Sequence, residues 1–280
     1  MSALARRRTS RVLLNAAAVV VIAFSIFPVY WMVNTSLLPG SAIKSDTPHL
    51  WPDLFTVQNY VTALGSSGFG AALLTSVVVT VVTVAAALVF AFLAAIVLSR
   101  FRFRGRTAII VTVLVVQMIP AESMIISTFR VLDGWHLVNT MIGLSLVYIA
   151  LVLPFTIWTL RGFVAGIPAD LEEAAMIDGC SRTGAFWRVT FPLLAPGLVA
   201  TGVFAFIQAW NEFVFALVIM TRPESQTLPI WLRSFVQATK ATDWSVVMAA
   251  STLMAIPVIV FFLIVQRRMA AGLVSGAVKG

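Results

Sequence analysis

The chain has 280 residues, of which 60% are hydrophobic and only 11% are charged. A water-soluble domain carries roughly 25% charged residues, so this sequence has less than half of the charge that a soluble surface needs. The composition therefore excludes a soluble enzyme and indicates an integral membrane protein.

Cysteine, histidine and lysine are scarce, which excludes several kinds of site. The only cysteine is Cys180, so the chain forms no internal disulfide and no cysteine-based metal cluster. The two histidines, His49 and His136, argue against bis-histidine haem ligation in the bilayer. None of the three lysines follows a glycine, so the Gly-Lys pair of a phosphate-binding P-loop is absent. The sequence predicts no metal site and no ATP binding by that route.

Six apolar stretches are long enough to cross a bilayer, which takes about 20 apolar residues per helix. Four of them carry no charged residue, whereas the third contains Glu122 and Arg130 and the fifth contains Glu212. The sequence therefore predicts an all-α membrane protein with a single transmembrane domain over residues 1–280. Its six helices are expected at residues 12–33, 71–98, 107–131, 137–160, 196–220 and 245–266.

The basic residues are distributed unevenly between the two sides of these spans. Of the 19 lysines and arginines, fourteen lie before the first span, after the second, between the fourth and fifth, or after the sixth. Because loops rich in lysine and arginine remain in the cytoplasm, this asymmetry predicts that both termini are cytoplasmic. It also accounts for most of the net charge of +8, so no nucleic-acid partner is needed to explain that charge.

The pair Arg7-Arg8 before the first apolar run is also compatible with a secretory or twin-arginine signal. The apolar run continues to Trp31, however, and no convincing Ala-x-Ala cleavage site ends it. We therefore expect an uncleaved first helix.

The loop between the fourth and fifth spans contains a short capped helix. Asp170 is a suitable N-cap, and Glu173 three residues later completes a box-like start. Acidic residues in the first turn suit the helix dipole, and Gly179 can end the helix in the left-handed conformation. The same loop can hold a second short helix that starts at Thr183 and stops before Pro192.

A helix of about two turns is too short to be stable alone. It must pack on a partner protein or on its own bundle, and the residues by themselves leave both alternatives open. The small apolar surface that it offers comes from Leu171, Ala174, Ala175 and Ile177.

This loop also carries a motif with fixed spacing. Glu173-Ala174-Ala175 is followed by three residues and Gly179, and then by nine residues and Val189-Thr190-Phe191-Pro192. The pattern resembles the EAA loop of binding-protein-dependent ABC importer permeases, which reads Glu-Ala-Ala, three residues, Gly, nine residues and Ile-x-Leu-Pro. The chain departs from it at Val189 and Phe191, and both changes keep an apolar residue.

Further segments are similar to the carbohydrate branch of this family, which contains the maltose-type permeases. They occur in the expected order along the chain. The segments are Arg100-Phe101-Arg102-Phe103-Arg104-Gly105-Arg106, Pro120-Ala121-Glu122, Asn139-Thr140-Met141-Ile142-Gly143-Leu144, Trp210-Asn211-Glu212-Phe213 and the tail Gly272–Gly280.

The resemblance implies a type I ABC importer permease in the bacterial cytoplasmic (inner) membrane, surrounded by lipid. It implies that the loop over residues 161–195 holds a coupling helix, which sits in a groove on a separate ATPase subunit. ATP-driven closure of two such subunits would then swing the helices from inward-open to outward-open. The residues implied in this coupling are Asp170, Glu172, Glu173, Ala174, Ala175, Asp178, Gly179 and Pro192.

The resemblance also implies the remaining partners. Ser275, Gly276 and Lys279 of the C-terminal tail are expected to reach the ATPases, although a frayed polar end is the alternative. The chain is expected to be no enzyme and to bind no cofactor, with ATP and Mg on the partner subunits. A second, different permease subunit and an extracytoplasmic sugar-binding protein complete the expected set.

Two external segments are expected to meet the sugar-binding protein. The first runs from Asn34 to Gly70 and contains Phe55-Thr56-Val57-Gln58-Asn59-Tyr60, which is also similar to the family. The second covers about residues 221–244 and includes Thr227-Leu228-Pro229. The alternative is that both segments only cap the bundle.

Glu122 and Glu212 are the only acidic residues within the predicted spans, and an intramembrane carboxylate is by default a functional candidate. At 1.5 Å per residue each lies about 23 Å along its helix, in the outer half of the bilayer. We hypothesise that they form the outer substrate path or its gate, with Gln117, Gln208 and Asn211 as hydrogen-bond partners. The alternative is a structural carboxylate bonded to a neighbouring helix.

Two further residues are associated with this path. Pro120 is expected to kink the third span beside Glu122. Trp210 is the first tryptophan that we would test for stacking on a sugar ring, although most such residues form the interfacial aromatic belt.

An ion-coupled secondary transporter or channel is the alternative function. That class is typified by buried titratable groups, broken helices or inverted repeats. The predicted spans contain no histidine, no lysine and no convincing repeat. A membrane-embedded enzyme is a third class, but the sequence has no Gly-x-Ser-x-Gly and no His-Glu-x-x-His motif.

Overall fold

The computed structural model describes residues 3–45, 47–236 and 242–277, with side chains described for 13–45, 47–236 and 242–266. These residues form helices and connecting segments with no strand, which confirms the predicted all-α class. The α-helices are α1 (Ala3–Ser36), α2 (Gly40–Ile43), α3 (Gln58–Gly65), α4 (Phe69–Arg100), α5 (Arg106–Val116), α6 (Ile125–Gly134), α7 (Met141–Gly166), α8 (Asp170–Ile177), α9 (Arg182–Ala185), α10 (Phe191–Asn211), α11 (Val214–Ile219), α12 (Leu228–Arg233) and α13 (Trp244–Ala277).

Five helical segments within the described residues are long and apolar enough to cross a membrane. The Arg106–Val116 and Ala121–Gly134 helices, bent by 91°, count as a sixth span when they are taken together. The prediction of six spans is therefore confirmed, but the third span is broken rather than continuous. The five unbroken segments are Leu13–Ser36, Phe69–Arg100, Met141–Gly166, Arg182–Asn211 and Trp244–Gln266.

Pro120 explains the break in the third span. Proline lacks the N–H of a helical hydrogen bond, and its ring disfavours helical geometry in the residue before it. Beyond Val116 the amides of Met118 and Ile119 bond only three residues back, in tight turns. A 3-10 turn over Ala121–Met124 then leads into α6. The expected kink at Pro120 is therefore confirmed. The helices on its two sides meet at 91°, so the chain changes direction there.

The chain divides into two compact units. The first unit comprises Met1–Ser67 with Leu232–Ile256, and the second unit comprises Gly68–Trp231 with Pro257–Gly280. All of the candidate site residues that the sequence predicts within residues 117–212 belong to the second unit.

Small side chains bring α4, α7 and α10 of the second unit close together. Ala91 and Ala95 of α4 are fully buried against Leu160 and Val164 of α7, together with Leu194 of α10. In a membrane there is little hydrophobic drive between helices, so small residues that permit close backbone contact favour association. This packing holds the helix ends from which the α8 loop starts and to which it returns.

The same close approach occurs between α7 and α10. A Cβ atom on Gly197 of α10 would lie 2.5 Å from Cγ of Phe163. Only glycine is compatible with this contact unless the Phe163 ring moves.

Large apolar side chains are exposed along the spanning helices. Phe24 of α1 is 82% exposed, and Phe90 of α4 and Phe262 of α13 are also exposed. Exposed apolar surface of this extent is expected for helices that face lipid rather than water.

Candidate functional site

The capped helix predicted in the 161–195 loop is α8. Ala169, with φ −65° and ψ −29°, is its N-cap, and the Ala169 carbonyl accepts the amides of Glu172 and Glu173 at 2.9 and 3.1 Å. The prediction that Asp170 caps the helix, with Glu173 closing the box, is wrong by one residue. Because the turn starts directly after Pro168, Asp170 is already helical and its carboxylate lies past the capping position. The acidic residues of the first turn still stabilise the helix, because negative charge interacts favourably with the positive end of the helix dipole.

The end of α8 is as the sequence predicts. Gly179 has φ +92°, a left-handed conformation that strains any residue with a Cβ atom. The Gly179 amide bonds the Met176 carbonyl at 3.1 Å, and the Cys180 amide bonds the Ala175 carbonyl at 3.0 Å. These two bonds form a Schellman motif, which satisfies carbonyls left free at the helix end.

The two sides of α8 differ in exposure. Leu171, Ala174 and Ile177, spaced three residues apart, lie on one side and are exposed, Ile177 by 86%. Glu172 and Ala175 on the other side are half-buried. The predicted small apolar surface is therefore split, because Ala174 lies on the exposed side of α8 and Ala175 on the half-buried side.

Glu172 contacts residues of its own chain. Its Oε1 atom accepts a hydrogen bond from the Thr190 hydroxyl at 2.6 Å and lies 3.1 Å from Nη2 of Arg100. The local pattern missed Arg100 and Thr190 as partners because both lie far from Glu172 in sequence. Their membership of family-like segments could have pointed to them, since Arg100 lies in the basic turn and Thr190 in the Val189–Pro192 motif.

The second predicted helix of the loop differs from the expectation. It starts at Arg182, one residue before the predicted Thr183, because Ser181 caps α9 by accepting the Gly184 amide at 3.1 Å. The predicted stop before Pro192 is wrong, because a π turn over Phe186–Thr190 leads directly into α10. Pro192 lies in the first turn of α10, where its missing N–H is tolerated.

The C-terminal tail is described only in part. Ser275 and Gly276 lie in the last turns of α13, without described side chains, and Lys279 lies outside the described residues. Contact of this tail with ATPase subunits stays a prediction.

Glu212 breaks the fifth predicted span. α10 ends at Asn211, and Glu212 is extended with φ −65° and ψ 128°. Its two carboxylate oxygens accept the amides of Phe215 and Ala216 at 2.8 and 3.0 Å. The predicted continuous helix over 196–220 is therefore wrong, because this carboxylate caps a separate helix, α11.

Two of the three predicted partners of the carboxylates, Gln117 and Asn211, bond elsewhere. The Gln117 amide donates to the Val113 carbonyl at 3.3 Å, and the Asn211 amide donates to the Ile207 carbonyl at 2.9 Å. Both bonds run one turn back along the same helix. Glu212 fits the structural alternative better, since its carboxylate accepts two backbone amides at the start of the neighbouring helix α11.

The structure nevertheless brings five of the six predicted path residues, all but Trp210, to two adjoining cavities. A cavity of about 400 Å³ has several polar residues in its lining, namely Glu122, Tyr148, Gln208, Asn211 and Glu212, beside apolar ones. A second cavity, of about 620 Å³ and mainly apolar, is lined by Gln117, Trp135, Phe155, Phe204 and Gln208, among others. Gln208 lines both. Sequence reasoning missed Phe155 of α7 and Phe204 of α10, whose ring centroids lie 3.9 Å apart, because their contact depends on how these two distant helices pack.

Trp210 is absent from the residues that line these two cavities. It is 2% exposed and stacks on Phe206 with ring centroids 5.6 Å apart. Phe206 in turn stacks on Phe261 at 3.9 Å. The hypothesis that Trp210 meets a sugar ring is therefore not supported by its position, since its ring belongs to a buried aromatic stack.

The first of the two segments predicted to be external is tied to the end of α1. The Asn59 amide donates to the carbonyls of Ser36 and Leu38, each at 2.8 Å, and the Tyr60 hydroxyl lies 2.6 Å from the Ser36 hydroxyl. Asn59 and Tyr60 of the family-like motif thus hold the segment in place. Trp51 and Phe55 stay exposed, by 71% and 63%.

A hydrogen bond from the His49 ring to Asp53 lies in the same segment, at 2.9 Å. It lowers the pKa of the Asp53 carboxyl, which is exposed.

The second segment predicted to be external is held by hydrogen bonds to Asn139. Asn139 has φ +60°, and its side-chain oxygen accepts the Arg222 amide at 2.9 Å and lies 3.2 Å from the hydroxyls of Thr221 and Ser225. The next residue, Thr140, caps α7 by accepting the Gly143 amide at 3.0 Å. The family-like motif at 139–144 therefore has a local structural role.

Comparisons with known proteins agree with this architecture. Residues 87–274 match the family described as binding-protein-dependent transport system inner membrane component. The chain is 45% identical over 270 residues to the diacetylchitobiose uptake system permease protein DasC of Streptomyces coelicolor, covering 96% of this chain and 98% of that protein. It is 36% identical over 277 residues to the trehalose transport system permease protein SugB of Mycobacterium tuberculosis, covering 99% of each.

The fold is also similar to that of a solved structure. The match is to a chain of a bacterial ABC transporter involved in the import of the acidic polysaccharide alginate, with a TM-score of 0.79. The two chains are 22% identical, and the match covers 95% of this chain and 98% of the other. With the capped α8 loop and the matched residues 87–274, the chain belongs to the family of binding-protein-dependent transport system inner membrane components.

Proposed function

We propose that this chain is a permease subunit of an ATP-driven carbohydrate importer and forms half of its translocation path. The relatives named above are permease proteins of a diacetylchitobiose uptake system and a trehalose transport system, and both are matched over nearly their whole length. The observation that carries the proposal is α8, a capped two-turn helix in a family-like loop with an exposed apolar row.

α8 is proposed to dock into a groove of an ATPase subunit. Leu171, Ala174 and Ile177 supply the apolar contact, since burying exposed apolar side chains favours association. Asp170, Glu173 and Asp178 surround this row with negative charge and are exposed. Two ATPase subunits would serve this permease and a second, different one, and their closure on ATP would draw the two α8-like helices together.

This arrangement requires α8 and both termini to lie in the cytoplasm. The charge asymmetry of the loops supports that orientation. The chain would then span the inner membrane with Asn34–Gly70 and residues 221–244 outside the cell membrane, where exposed Trp51 and Phe55 supply contact area for a sugar-binding protein.

The two adjoining cavities are proposed to form part of the substrate path. Sugars present hydroxyl groups along their edges and apolar C–H faces, which suits a cavity with several polar side chains next to one lined by aromatic rings. Glu122, Gln208 and Asn211 would bond the hydroxyl groups. Glu212 contributes less to the substrate, because both of its oxygens are engaged by the α11 amides.

Ion-coupled transport is the second candidate function, since broken spans such as those at Pro120 and Glu212 also occur in secondary transporters. One experiment separates the two. Proteoliposomes containing the chain with its ATPase subunits, second permease and binding protein are given radiolabelled diacetylchitobiose, trehalose or maltose. We expect uptake that needs ATP and stops when the ATPase subunits are omitted. Uptake by the permeases alone, driven by an ion gradient, would contradict the proposal.

A further inference from the structure

The Glu172 carboxylate joins three parts of the second unit. One of its oxygens accepts the Thr190 hydroxyl at 2.6 Å and lies 3.1 Å from the Arg100 guanidinium. Arg100 is the last residue of α4, and Thr190 is the last residue of the π turn that leads into α10. A single oxygen of α8 therefore contacts the ends of two membrane-spanning helices.

These contacts are shielded from water. The side chains of Arg100 and Glu172 are each 18% exposed, and Thr190 is 1% exposed. Ion pairs interact more strongly in such surroundings than at an open surface, where most contribute little. Removing one partner also leaves the other charge half-buried and unpaired. The contact is therefore expected to persist while α8 moves.

The chain connections of α8 are less direct. Three residues separate α7 from α8, and four separate α8 from α9, including Gly179 in its left-handed conformation. Such short irregular connections can bend under load, whereas coupling between distant parts is carried by rigid elements and by hydrogen-bond or ion-pair contacts. The π turn that ends at Thr190 is itself a feature that is frequent at functional sites.

We propose that Glu172 is a positioning residue that locks α8 to α4 and α10, so that a displacement of α8 moves both helices together. Glu172 thus acts inside the permease rather than on the ATPase surface. The role of Arg100 in the basic turn is to hold Glu172 through their ion pair. The proposal rests on the proposed function, because the displacement comes from the ATPase subunit on which α8 docks.

The first test measures the lock in the permease chain alone. Spin labels are placed at two exposed positions, Arg104→Cys and Ile177→Cys, in a Cys180→Ser background, and distances are measured in lipid nanodiscs. The parent chain should give one narrow distance distribution. Glu172→Ala should broaden it, whereas Arg100→Glu combined with Glu172→Arg, which exchanges the charges, should restore a narrow one.

The second test measures transport in the reconstituted complex. The number of radiolabelled sugar molecules imported per ATP hydrolysed is compared for the wild type, Glu172→Ala, Arg100→Glu and Thr190→Val. The loss of a hydrogen bond to a charged group changes an equilibrium constant by about tenfold or more. We expect a fall of about tenfold for Glu172→Ala and a smaller fall for Thr190→Val, which keeps the side-chain shape. Arg104→Glu, in the same exposed basic turn, is the matched control and should keep the wild-type ratio.

The outcomes separate the lock from the proposed function. Wild-type complex without ATP-driven uptake would overturn the proposed function, and the spin-label distances would still decide whether Glu172 holds α8. Glu172→Ala with an unchanged distance distribution and an unchanged ratio of sugar to ATP would overturn the lock. A charge-exchanged pair that behaves like the single variants would do the same. Since Thr190→Val conserves volume, it keeps the test decisive if Glu172→Ala fails to fold.

Discussion

Replacing Glu212 tests whether this carboxylate holds the break between α10 and α11. Its two oxygens accept the amides of Phe215 and Ala216 at 2.8 and 3.0 Å, and both of those residues are buried. An amide left without a partner in apolar surroundings has no water to replace the lost bond. Glu212→Ala removes both acceptors, whereas Glu212→Gln keeps one oxygen and loses the charge.

The expected loss of stability follows from these two bonds. A hydrogen bond to a charged group contributes about 1.5–3 kcal/mol, although hydrogen bonds between membrane helices average only about 0.6 kcal/mol. We therefore expect Glu212→Gln to lower the free energy of unfolding by about 1–2 kcal/mol and Glu212→Ala by about 2–5 kcal/mol. The larger change should lower the thermal unfolding temperature in detergent by several degrees, at roughly 2–4 °C per kcal/mol.

The control for this series is Glu224→Gln, which removes a carboxylate from an exposed turn. Exposed substitutions of this kind change stability by less than about 0.5 kcal/mol. If Glu212→Ala unfolded at the wild-type temperature, the carboxylate would not cap α11 in the membrane, and Glu212 would return to the list of substrate contacts.

Three further predictions concern the path, the helix packing and the α8 surface. Glu122→Gln should leave the thermal unfolding temperature unchanged and lower the sugar uptake rate in proteoliposomes about tenfold, the value of roughly one lost charge-assisted bond; unchanged uptake would remove Glu122 from the path. Gly197→Ala should destabilise the chain by about 1–3 kcal/mol in thermal unfolding, because the new methyl group overlaps Phe163; the double variant with Phe163→Ala should recover part of this loss, and additive losses would refute the clash. Ile177→Asp should leave the stability of the permease unchanged and weaken co-purification of the ATPase subunits; full co-purification would show that the exposed row of α8 is not the docking surface.

The membrane-spanning helices could be predicted from the sequence because apolar content and charge distribution are local properties. The breaks in the third and fifth spans could not be located in the same way. The apolar stretches extend past both Pro120 and Glu212, so apolar content alone predicts a continuous helix at each. It does not indicate that the Glu212 carboxylate accepts the amides of the next helix. The C-terminal end of α8 was predicted correctly because Gly179 ends the helix through its own left-handed backbone conformation. The N-terminal cap was predicted one residue too late, because the helix begins directly after Pro168.

The partners of individual side chains were harder to predict. Glu172 belongs to a recognisable loop motif, but its ion pair is with Arg100, 72 positions earlier in the chain. Trp210 belongs to a family-like segment, yet its ring is covered by Phe206. In both cases the local pattern identified an important segment and could not report which way a side chain points, because that direction depends on how distant helices pack.

The most direct test of the account is a site-specific cross-link from α8 in the assembled transporter. A photoreactive amino acid placed at Ile177, whose side chain is 86% exposed, reports what lies next to the outward row of this helix. The account predicts a cross-linked product that contains the nucleotide-hydrolysing subunit and whose yield changes when ATP is bound. Products that contain only lipid or the permease itself, in the presence of the ATPase subunits, would contradict it.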